Sequence, residues 1–190
     1  MRQTTIRSSW AALRRDYRAL AAYHGEGGHP GGFALALSPS LWCVALYRVS
    51  RYFYTRRLRL VARLFWQVNY HMTGADINPI ADIGPGFVVI NPVAITIAGK
   101  AGANLLVVGM GGFGGGLKMD DVGAGPGFAC LGDNVRLHMG AVILGAQRIG
   151  HNAVIGPNCT VMYDVPENTE VWPVPPRVRP ASRHLGAPSP

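Results

Sequence analysis

Charged residues are scarce in this sequence, and acidic residues are the scarcest of them. Only 15% of the 190 residues are charged whereas 48% are hydrophobic, which excludes disorder for most of the chain. Sixteen of the eighteen basic residues are arginine, and most of them lie before residue 64. No nucleic-acid-binding motif accompanies them, so we expect no nucleic-acid partner. The arginines could form a solvated helical face, or bind an anionic membrane surface or a partner enzyme.

Cysteines are also few, and a long uninterrupted apolar run is absent. Cys43, Cys130 and Cys159 are an odd number without metal-ligand spacing, so we predict neither a disulfide framework nor a metal site. A reducing cytoplasm fits this cysteine content best. Six arginines interrupt the most hydrophobic stretch, residues 41–70, which we therefore do not expect to span a bilayer. The first ten residues lack the apolar segment of a secretory signal.

The N-terminal part of the sequence, residues 1–72, is predicted to be a helical segment. Residues 8–23 carry apolar side chains at the three- and four-residue spacing of an amphipathic helix. These are Trp10, Leu13, Tyr17, Leu20 and Ala21. After a glycine-rich connection, Ser38 and Pro39 provide a helix cap and a first-turn proline for a second helical region that continues towards Tyr70.

From Ile77 onward the hydrophobic period becomes six residues, which indicates an internal repeat. The first run of repeats begins with Ile77, Ile83, Val89, Ile95, Ala101 and Val107. The second run begins with Leu131, Leu137, Ile143, Ile149, Ile155 and Val161. Glycine and asparagine recur between these positions, where tight corners need unusual backbone angles. The pattern predicts a mainly β fold over residues 76–166: a left-handed parallel β-helix of hexapeptide repeats, three to a coil.

Two segments depart from the six-residue frame. Residues 109–130 are rich in glycine and are predicted to be a loop extruded from one corner of the β-helix, either an active-site arm or a disordered insertion. Residues 167–190 form a proline-rich C-terminal tail that can cover the last coil.

Two stretches of the sequence are similar to a known family. The first is a motif with Asp76, Ile77, Pro79, Ala81, Ile83, Gly84 and Gly86. The second is GDNVRLHMGAVILGAQRIGHNAVIGPNCTVMYDVP, residues 132–166. Both resemble hexapeptide-repeat acyltransferases of the serine acetyltransferase-like and sugar O-acetyltransferase-like branch, and the likeness covers residues 76–178. It implies a homotrimer with sites between neighbouring chains, acetyl-CoA or another acyl-CoA as co-substrate, and a small hydroxyl acceptor.

The resemblance also locates the position of the general base. Relatives carry a histidine that removes the proton of the acceptor hydroxyl, and Asn91 occupies that position here, within GPGFVVINPVA. An asparagine amide cannot take up a proton near neutral pH. Replacement bases could be His138, His71, or the loop carboxylates Asp120 and Asp121, although each of these side chains could instead be structural or merely solvated.

The co-substrate site follows from the resemblance as well. It implies contacts of an acyl-CoA with Gly111, Gly112, Ala141, Gly145, Pro176 and Arg177. The predicted function is therefore acyl transfer from CoA to a hydroxyl of serine, a sugar or a biosynthetic intermediate. The alternatives are a catalytically degenerate trimer that binds a ligand or a partner protein, and a different reaction on the same scaffold.

Overall fold

A computed structural model of the chain describes residues 5–26, 33–116 and 119–175. The helices of these residues are α1 (Ile6–Glu26), α2 (Phe33–Ala36), α3 (Pro39–Thr55) and α4 (Arg59–Thr73). The strands that follow are β1 (Ala75–Ile77), β2 (Asp82–Ile83), β3 (Val88–Val89), β4 (Ile95–Ile97), β5 (Gly99–Ala101), β6 (Leu106–Val107), β7 (Gly112–Gly114), β8 (Ala129–Leu131), β9 (Arg136–Leu137), β10 (Val142–Leu144), β11 (Arg148–Ile149), β12 (Val154–Ile155), β13 (Thr160–Val161) and β14 (Glu170–Val171).

The strands form three parallel sheets that wind around one core. Sheet A has the order β1-β4-β7-β10-β13, sheet B has β11-β8-β5-β2, and sheet C has β14-β12-β9-β6-β3. Successive strands belong to different sheets, and each strand pairs with strands of the coils before and after it. This arrangement confirms the predicted left-handed parallel β-helix with helices before it.

The aliphatic residues that begin the repeats fill the core. All twelve are at most 4% exposed, and Leu137, Ile143, Ile149 and Ile155 line the inside as predicted. Each coil stacks its aliphatic side chains on those of the next coil. Burial of this kind stabilises the fold by roughly 1.5–3 kcal/mol for each large side chain.

The register of the second coil differs from the six-residue frame by two residues. The frame aligns Ile95 with Ile77, but Ile77 pairs with Ile97, and Ile95 pairs with Ala75. Both isoleucines of β4 are buried, because alternate residues of a strand point to the same face. The sequence pattern alone could not show which of the two continues the column. The extra residues lie in the turn at 91–94 that precedes β4.

Asparagines stabilise the corner between sheets B and C. Asn104, Asn134, Asn152 and Asn168 all have positive φ, between 55° and 59°, a conformation that asparagine tolerates better than most residues. Their side chains form a ladder, in which each Nδ2 donates to the Oδ1 of the next coil at 2.8–2.9 Å. The predicted use of asparagine at tight corners is thus seen in the structure.

The glycine-rich loop is shorter than the predicted range 109–130. Residues 112–114 pair as β7 with β4 and β10, and residues 129–131 pair as β8 with β5 and β11. Gly112 has φ 141°, and a Cβ atom there would collide with the carbonyl oxygen of Thr96, so glycine allows this strand to approach its neighbour. The segment that leaves the β-helix, here called the arm, is therefore 115–128, at the corner between sheets A and B.

The N-terminal helices differ from the prediction in one respect. The predicted helix over residues 8–23 lies within α1, and Ser38 caps α3 by accepting a hydrogen bond from the backbone N–H of Leu41 at 3.2 Å. The second helical region, however, is divided into α3 and α4. The chain turns between them at Arg57, whose φ is 64°.

A buried ion pair joins these helices to the first coil. The Nε of Arg48 in α3 lies 2.8 Å from the Oδ2 of Asp16 in α1. Arg48 also donates to the carbonyl oxygens of residues 83–84 at 2.6 and 2.7 Å. Asp16 accepts hydrogen bonds from the backbone N–H groups of residues 86–87, each at 2.8 Å. The pair therefore satisfies both donors and acceptors at the open end of the β-helix.

Two further side chains of α3 complete this cap. Tyr47 donates to the carbonyl oxygen of Ala81 at 2.9 Å. Arg51 donates to the carbonyl oxygen of Ile80 at 2.9 Å and forms an ion pair with Asp82 at 3.1 Å. Some of the N-terminal arginines are thus internal parts of the fold, and they do not belong to a basic surface.

Candidate active site

The turn at residues 91–94, here called the Asn91 turn, follows β3 of the first coil and lies at the corner between sheets C and A. Asn91 is exposed, its backbone N–H donates to the carbonyl of Val108 at 2.9 Å, and its Oδ1 accepts from the backbone N–H of Val93 at 3.2 Å. Among the described residues its Nδ2 has no hydrogen-bond partner. Ala94 has φ 57°. The side chain is therefore held by its own turn, with one amide donor group free to face an acceptor molecule.

A groove of about 420 Å³ runs over the outer face of sheet A, starting beside this turn. Its lining includes Ala94 of the turn, Met110, and the predicted co-substrate residues Gly111 and Gly112. Glycine at 111 follows from coil stacking, because a Cβ atom there would collide with the backbone of Ala141. No side chain protrudes at these two glycines, while the outward side chains of Thr96, Val142 and Leu144 line the rest of the groove.

The other predicted co-substrate residues stand in the adjoining coil. The backbone N–H of Gly112 donates to the carbonyl of Ala141 at 2.9 Å, and that of Gly145 donates to Gly114 at 2.9 Å. Gly111, Gly112, Ala141 and Gly145 therefore lie together in the structure. Ala141 and Gly145 are buried, so they do not face the groove directly. Pro176 and Arg177 lie outside the described residues.

Asp76 lines the same groove. The sequence pattern predicts it only as one residue of the family motif. Asp76 belongs to β1, between the buried residues Ala75 and Ile77, so strand alternation turns its side chain outward. Its Oδ1 accepts a hydrogen bond from the Nε1 of Trp66 in α4 at 2.8 Å. This alternation was the available signal that a carboxylate would face the groove.

His71 belongs to the end of α4, which is followed by a residue that is hydrogen-bonded to the Asn91 turn. It is exposed in the last turn of α4, and its Nδ1 lies 2.8 Å from the carbonyl oxygen of Gln67. Gly74, just after the helix, accepts a hydrogen bond from the backbone N–H of Ala94 at 3.1 Å. The helix end and the turn are therefore neighbours, which keeps His71 as a candidate for proton transfer.

His138 lies on the same corner as Asn91, but two coils further along. Stacked coils are about 4.8 Å apart, so the two positions are separated by roughly 10 Å. The ring of His138 is half-buried and packs on Trp172 with a centroid distance of 5.8 Å. Trp172 in turn donates from Nε1 to Glu170 at 2.8 Å. These contacts favour a packing role for His138.

The carboxylates of the arm stand at the opposite edge of sheet A from Asn91. The Oδ1 of Asp121 accepts hydrogen bonds from the backbone N–H groups of Gly123 and Gly125 at 2.8 and 3.1 Å. These bonds lower the pKa of Asp121, which makes it a weaker base. Asp120 is exposed, and its carbonyl accepts from Gly127. Within one chain, the arm and the Asn91 turn do not form a common site.

Metal binding and membrane insertion find no support in the part of the chain that the structure describes. There, no group of three or more His, Cys, Asp or Glu side chains could hold a metal ion. In the same residues, no helix is both long and apolar enough to cross a bilayer.

Comparison with known proteins places this site in a family. The chain is 31% identical over 143 residues to the serine acetyltransferase of Bacillus pumilus, covering 73% of this chain and 63% of that protein. It is 30% identical over 137 residues to that of Helicobacter pylori, covering 70% of this chain and 76% of that protein. The crystal structure of the Neisseria gonorrhoeae serine acetyltransferase superposes with a TM-score of 0.77 at 25% identity, covering 94% of this chain and 67% of that one. No family model matches the sequence.

A parallel β-helix of six-residue rungs with a groove over the outer face of one sheet is the architecture of a hexapeptide-repeat acyltransferase. Within this class, the chain belongs to the serine acetyltransferase family. It spans 63% of the Bacillus pumilus relative and 57% of the Synechococcus elongatus relative.

Proposed function

We propose that this protein transfers an acetyl group from acetyl-CoA to the hydroxyl group of a small acceptor of the serine type. The observation that carries the proposal is the continuity of the groove over sheet A with the Asn91 turn. The groove floor formed by Gly111 and Gly112 suits an extended thioester arm, and the turn stands where the thioester would meet the acceptor. The relatives from Bacillus pumilus and Helicobacter pylori are serine acetyltransferases, which supports the same reaction.

In this reaction the acceptor hydroxyl oxygen attacks the thioester carbonyl carbon. A carbon–oxygen bond forms, the carbon–sulfur bond breaks, and CoA leaves as its thiol after taking up the proton that the hydroxyl loses. The free Nδ2 group of Asn91 can donate a hydrogen bond that orients the acceptor, but the amide cannot accept the proton. Water or another side chain must therefore carry the proton, and His71 is the titratable candidate beside the turn.

Asp76 favours an acceptor that carries a positive charge. Its carboxylate lines the groove, and one oxygen accepts from Trp66 while the other has no hydrogen-bond partner among the described residues. A carboxylate at this place would pair with the ammonium group of an amino acid. Serine fits this requirement, whereas a neutral sugar does not.

The acceptor is tested by incubating the purified protein with acetyl-CoA and either serine, threonine or a neutral hexose, with mass spectrometry of the products. We expect O-acetylserine, and a strong loss of product with Asp76→Asn. The matched control is Glu167→Gln, an exposed carboxyl group at the corner between sheets B and C and away from the groove, which should retain activity. Acetylation of the hexose but not of serine would contradict the assigned acceptor.

A second function is favoured by Asn91 itself, since the residue removes the usual base. The protein would then be a trimeric scaffold that binds acetyl-CoA or a partner protein without turnover. Calorimetric binding of acetyl-CoA to a protein that yields no acetylated product from any acceptor would support this function and exclude the first.

A further inference from the structure

Two groups of basic residues in the N-terminal helices differ in burial, and the exposed arginines around the turn from α3 to α4 are separate from both. Arg48 and Arg51 are buried in the cap of the β-helix. The arginines of α1, by contrast, are exposed and form no ion pair within the described residues. The first group explains the stability of the fold, while the second group has no partner in the structure.

Five of the exposed residues of α1 lie along one side of the helix. They are Arg7, Trp10, Arg14, Tyr17 and Arg18, a set that is called the α1 face below. Their spacing of three and four residues places them on one stripe of the helix surface. This side of α1 alternates large aromatic rings with guanidinium groups over about 17 Å, the distance along the helix axis from Arg7 to Arg18.

The aromatic residues of this face are unusually open to solvent. Trp10 is 61% exposed, and Trp42 of α3, across a shallow groove from it, is 45% exposed. The groove is mainly apolar and is also lined by Leu13 and Leu41. Contiguous exposed apolar surface of this kind usually marks an interaction site.

The charge of the α1 face is not compensated nearby. Only two acidic residues, Asp16 and Glu26, precede Asp76 in the sequence. Asp16 is buried and paired with Arg48, so it does not neutralise the exposed arginines. A surface with this charge attracts anions and repels a second copy of itself, which disfavours a symmetric contact between two α1 faces.

We propose that the α1 face docks on the surface of an anionic phospholipid bilayer. Guanidinium groups bind lipid phosphates, and tryptophan and tyrosine rings settle at the boundary between headgroups and acyl chains. A helix with one basic and aromatic side binds in the plane of the membrane surface without crossing it. The exposed rings and the uncompensated arginines are both explained by this single partner.

The proposal is tested with the full-length protein and sucrose-loaded vesicles. We expect co-sedimentation with vesicles of phosphatidylcholine containing about 30% phosphatidylglycerol, and little with phosphatidylcholine alone, because surface attraction depends on anionic lipid. Binding should weaken between about 0.05 and about 0.5 M salt, as screening shortens the reach of the charges. Tryptophan fluorescence should shift to shorter wavelength when vesicles are added.

Variants show whether binding depends on the α1 face itself or only on the net charge of the protein. Arg14→Gln/Arg18→Gln should weaken binding to the anionic vesicles by about 30-fold, since each cation near the surface contributes about fivefold. The matched control is Arg136→Gln/Arg148→Gln, which removes the same charge from exposed positions on the β-helix. This control should bind within about twofold of the unchanged protein. Trp10→Ser should also weaken binding, although it changes no charge.

Three outcomes would overturn the proposal. The first is equal binding to neutral and anionic vesicles, and the second is an equal loss in both double variants. The third is a failure to bind either vesicle while Trp10→Ser lowers the mass measured by light scattering, which would make the α1 face a contact between copies of this chain. Circular dichroism and thermal melting of each variant show whether it is folded, so a loss of binding can be assigned to the surface.

Discussion

Asn91 is the residue on which the chemistry of the site depends. Its backbone position is fixed by the hydrogen bond to Val108 and by the contact with Gly109, where a Cβ atom would lie 2.8 Å from the carbonyl oxygen of Asn91. Its side chain is exposed, so the turn can accept a ring in place of the amide without disturbing the core. The turn therefore has room for a histidine, while the asparagine present cannot accept a proton.

Replacing this side chain tests whether the rest of the site is competent. If the groove binds acetyl-CoA and serine, Asn91→His should raise the rate of acetyl transfer by about 10²–10⁴-fold, because a positioned base contributes that much. The rate is measured from the free thiol of the CoA that the reaction releases. The control Asn91→Ala should not raise it. Normal binding of both substrates by Asn91→His without transfer would show that more than this position limits the reaction.

His71 is the residue that tests the proposed proton path of the unchanged protein. His71→Ala should lower the rate of acetyl transfer by at least about tenfold if the imidazole accepts the proton. His138→Ala is the matched control, since its ring packs on Trp172 away from the turn. A rate that falls with His138→Ala but not with His71→Ala would reassign the base.

Cys43 gives the stability of the fold a dependence on alkaline pH. Burial raises the pKa of its thiol to about 12, although hydrogen bonds with Thr73 and Asn69 lower it. A raised pKa contributes stability that is present below the unfolded pKa and is lost as pH rises towards the folded pKa. Between about pH 8 and about pH 10.5 the free energy of unfolding should therefore fall by about 2 kcal/mol from this group alone.

The contribution of Cys43 is isolated by urea denaturation at the two pH values. Cys43→Ala removes the titrating thiol, so its loss of stability over this interval should be smaller by about 2 kcal/mol. Cys130→Ala, at a half-buried cysteine, should lose as much as the unchanged protein. An equal loss in all three proteins would show that Cys43 ionises without unfolding the chain.

Residues of the site differ in how far the sequence could predict them. The resemblance to the family pointed to Asn91, because this residue stands where relatives carry a histidine. The contact of His138 with Trp172, and the contact of Asp76 with Trp66, join residues that are 34 and 10 positions apart. Such contacts depend on how coils and helices stack, which a pattern of single residues does not contain.

At the scale of elements, the cap of the β-helix is the feature that the structure shows and the sequence pattern could not predict. The six-residue period identified the strands and their inward residues, but it could not assign the arginines of α3. Arg48 and Asp16 are 32 residues apart and meet only because α1 and α3 both pack on the first coil. From the sequence alone, the arginines of such a helix could equally well be predicted to face solvent.

The cap makes Asp16 a determinant of stability. Asp16→Asn leaves Arg48 buried without its counter-ion, which should lower the free energy of unfolding by about 3 kcal/mol. Urea denaturation measures the loss. Asp120→Asn on the exposed arm is the control and should change stability by less than about 0.5 kcal/mol. Equal stability of the two variants would show that the ion pair does not hold the cap together.

The inward column makes a second prediction at this scale. Ile149 is 2% exposed and pairs with Leu131 of β8. Ile149→Asp would bury an unpaired charge and should unfold the stack, at a cost above about 4 kcal/mol. Ile149→Val should cost only about 1 kcal/mol. Thermal melting decides, and an aspartate variant that melts at the original temperature would refute the register.

At the scale of the whole molecule, the parts of the proposed site lie at different edges of sheet A. The Asn91 turn is at one corner and the arm leaves from the other, so one chain cannot bring the arm over its own turn. Around the turn, exposed apolar side chains gather on the corner between sheets C and A. They are Val93, Met110 and Met139, which are 36–58% exposed. A neighbouring chain could cover them.

This geometry leads to the prediction that the protein is a homotrimer, in which the arm of one chain closes over the turn of the next. Light scattering should give about three times the chain mass of 20.3 kDa. Met110→Asp places a charge on the apolar corner and should lower both the mass and the rate of acetyl transfer, because each site then lacks its second chain. Leu60→Asp is the matched control, since Leu60 is 86% exposed on α4 and should leave mass and rate unchanged. A mass of one chain at working concentration would rule out a site shared between chains, and His71 would then have to act without any group from a neighbour.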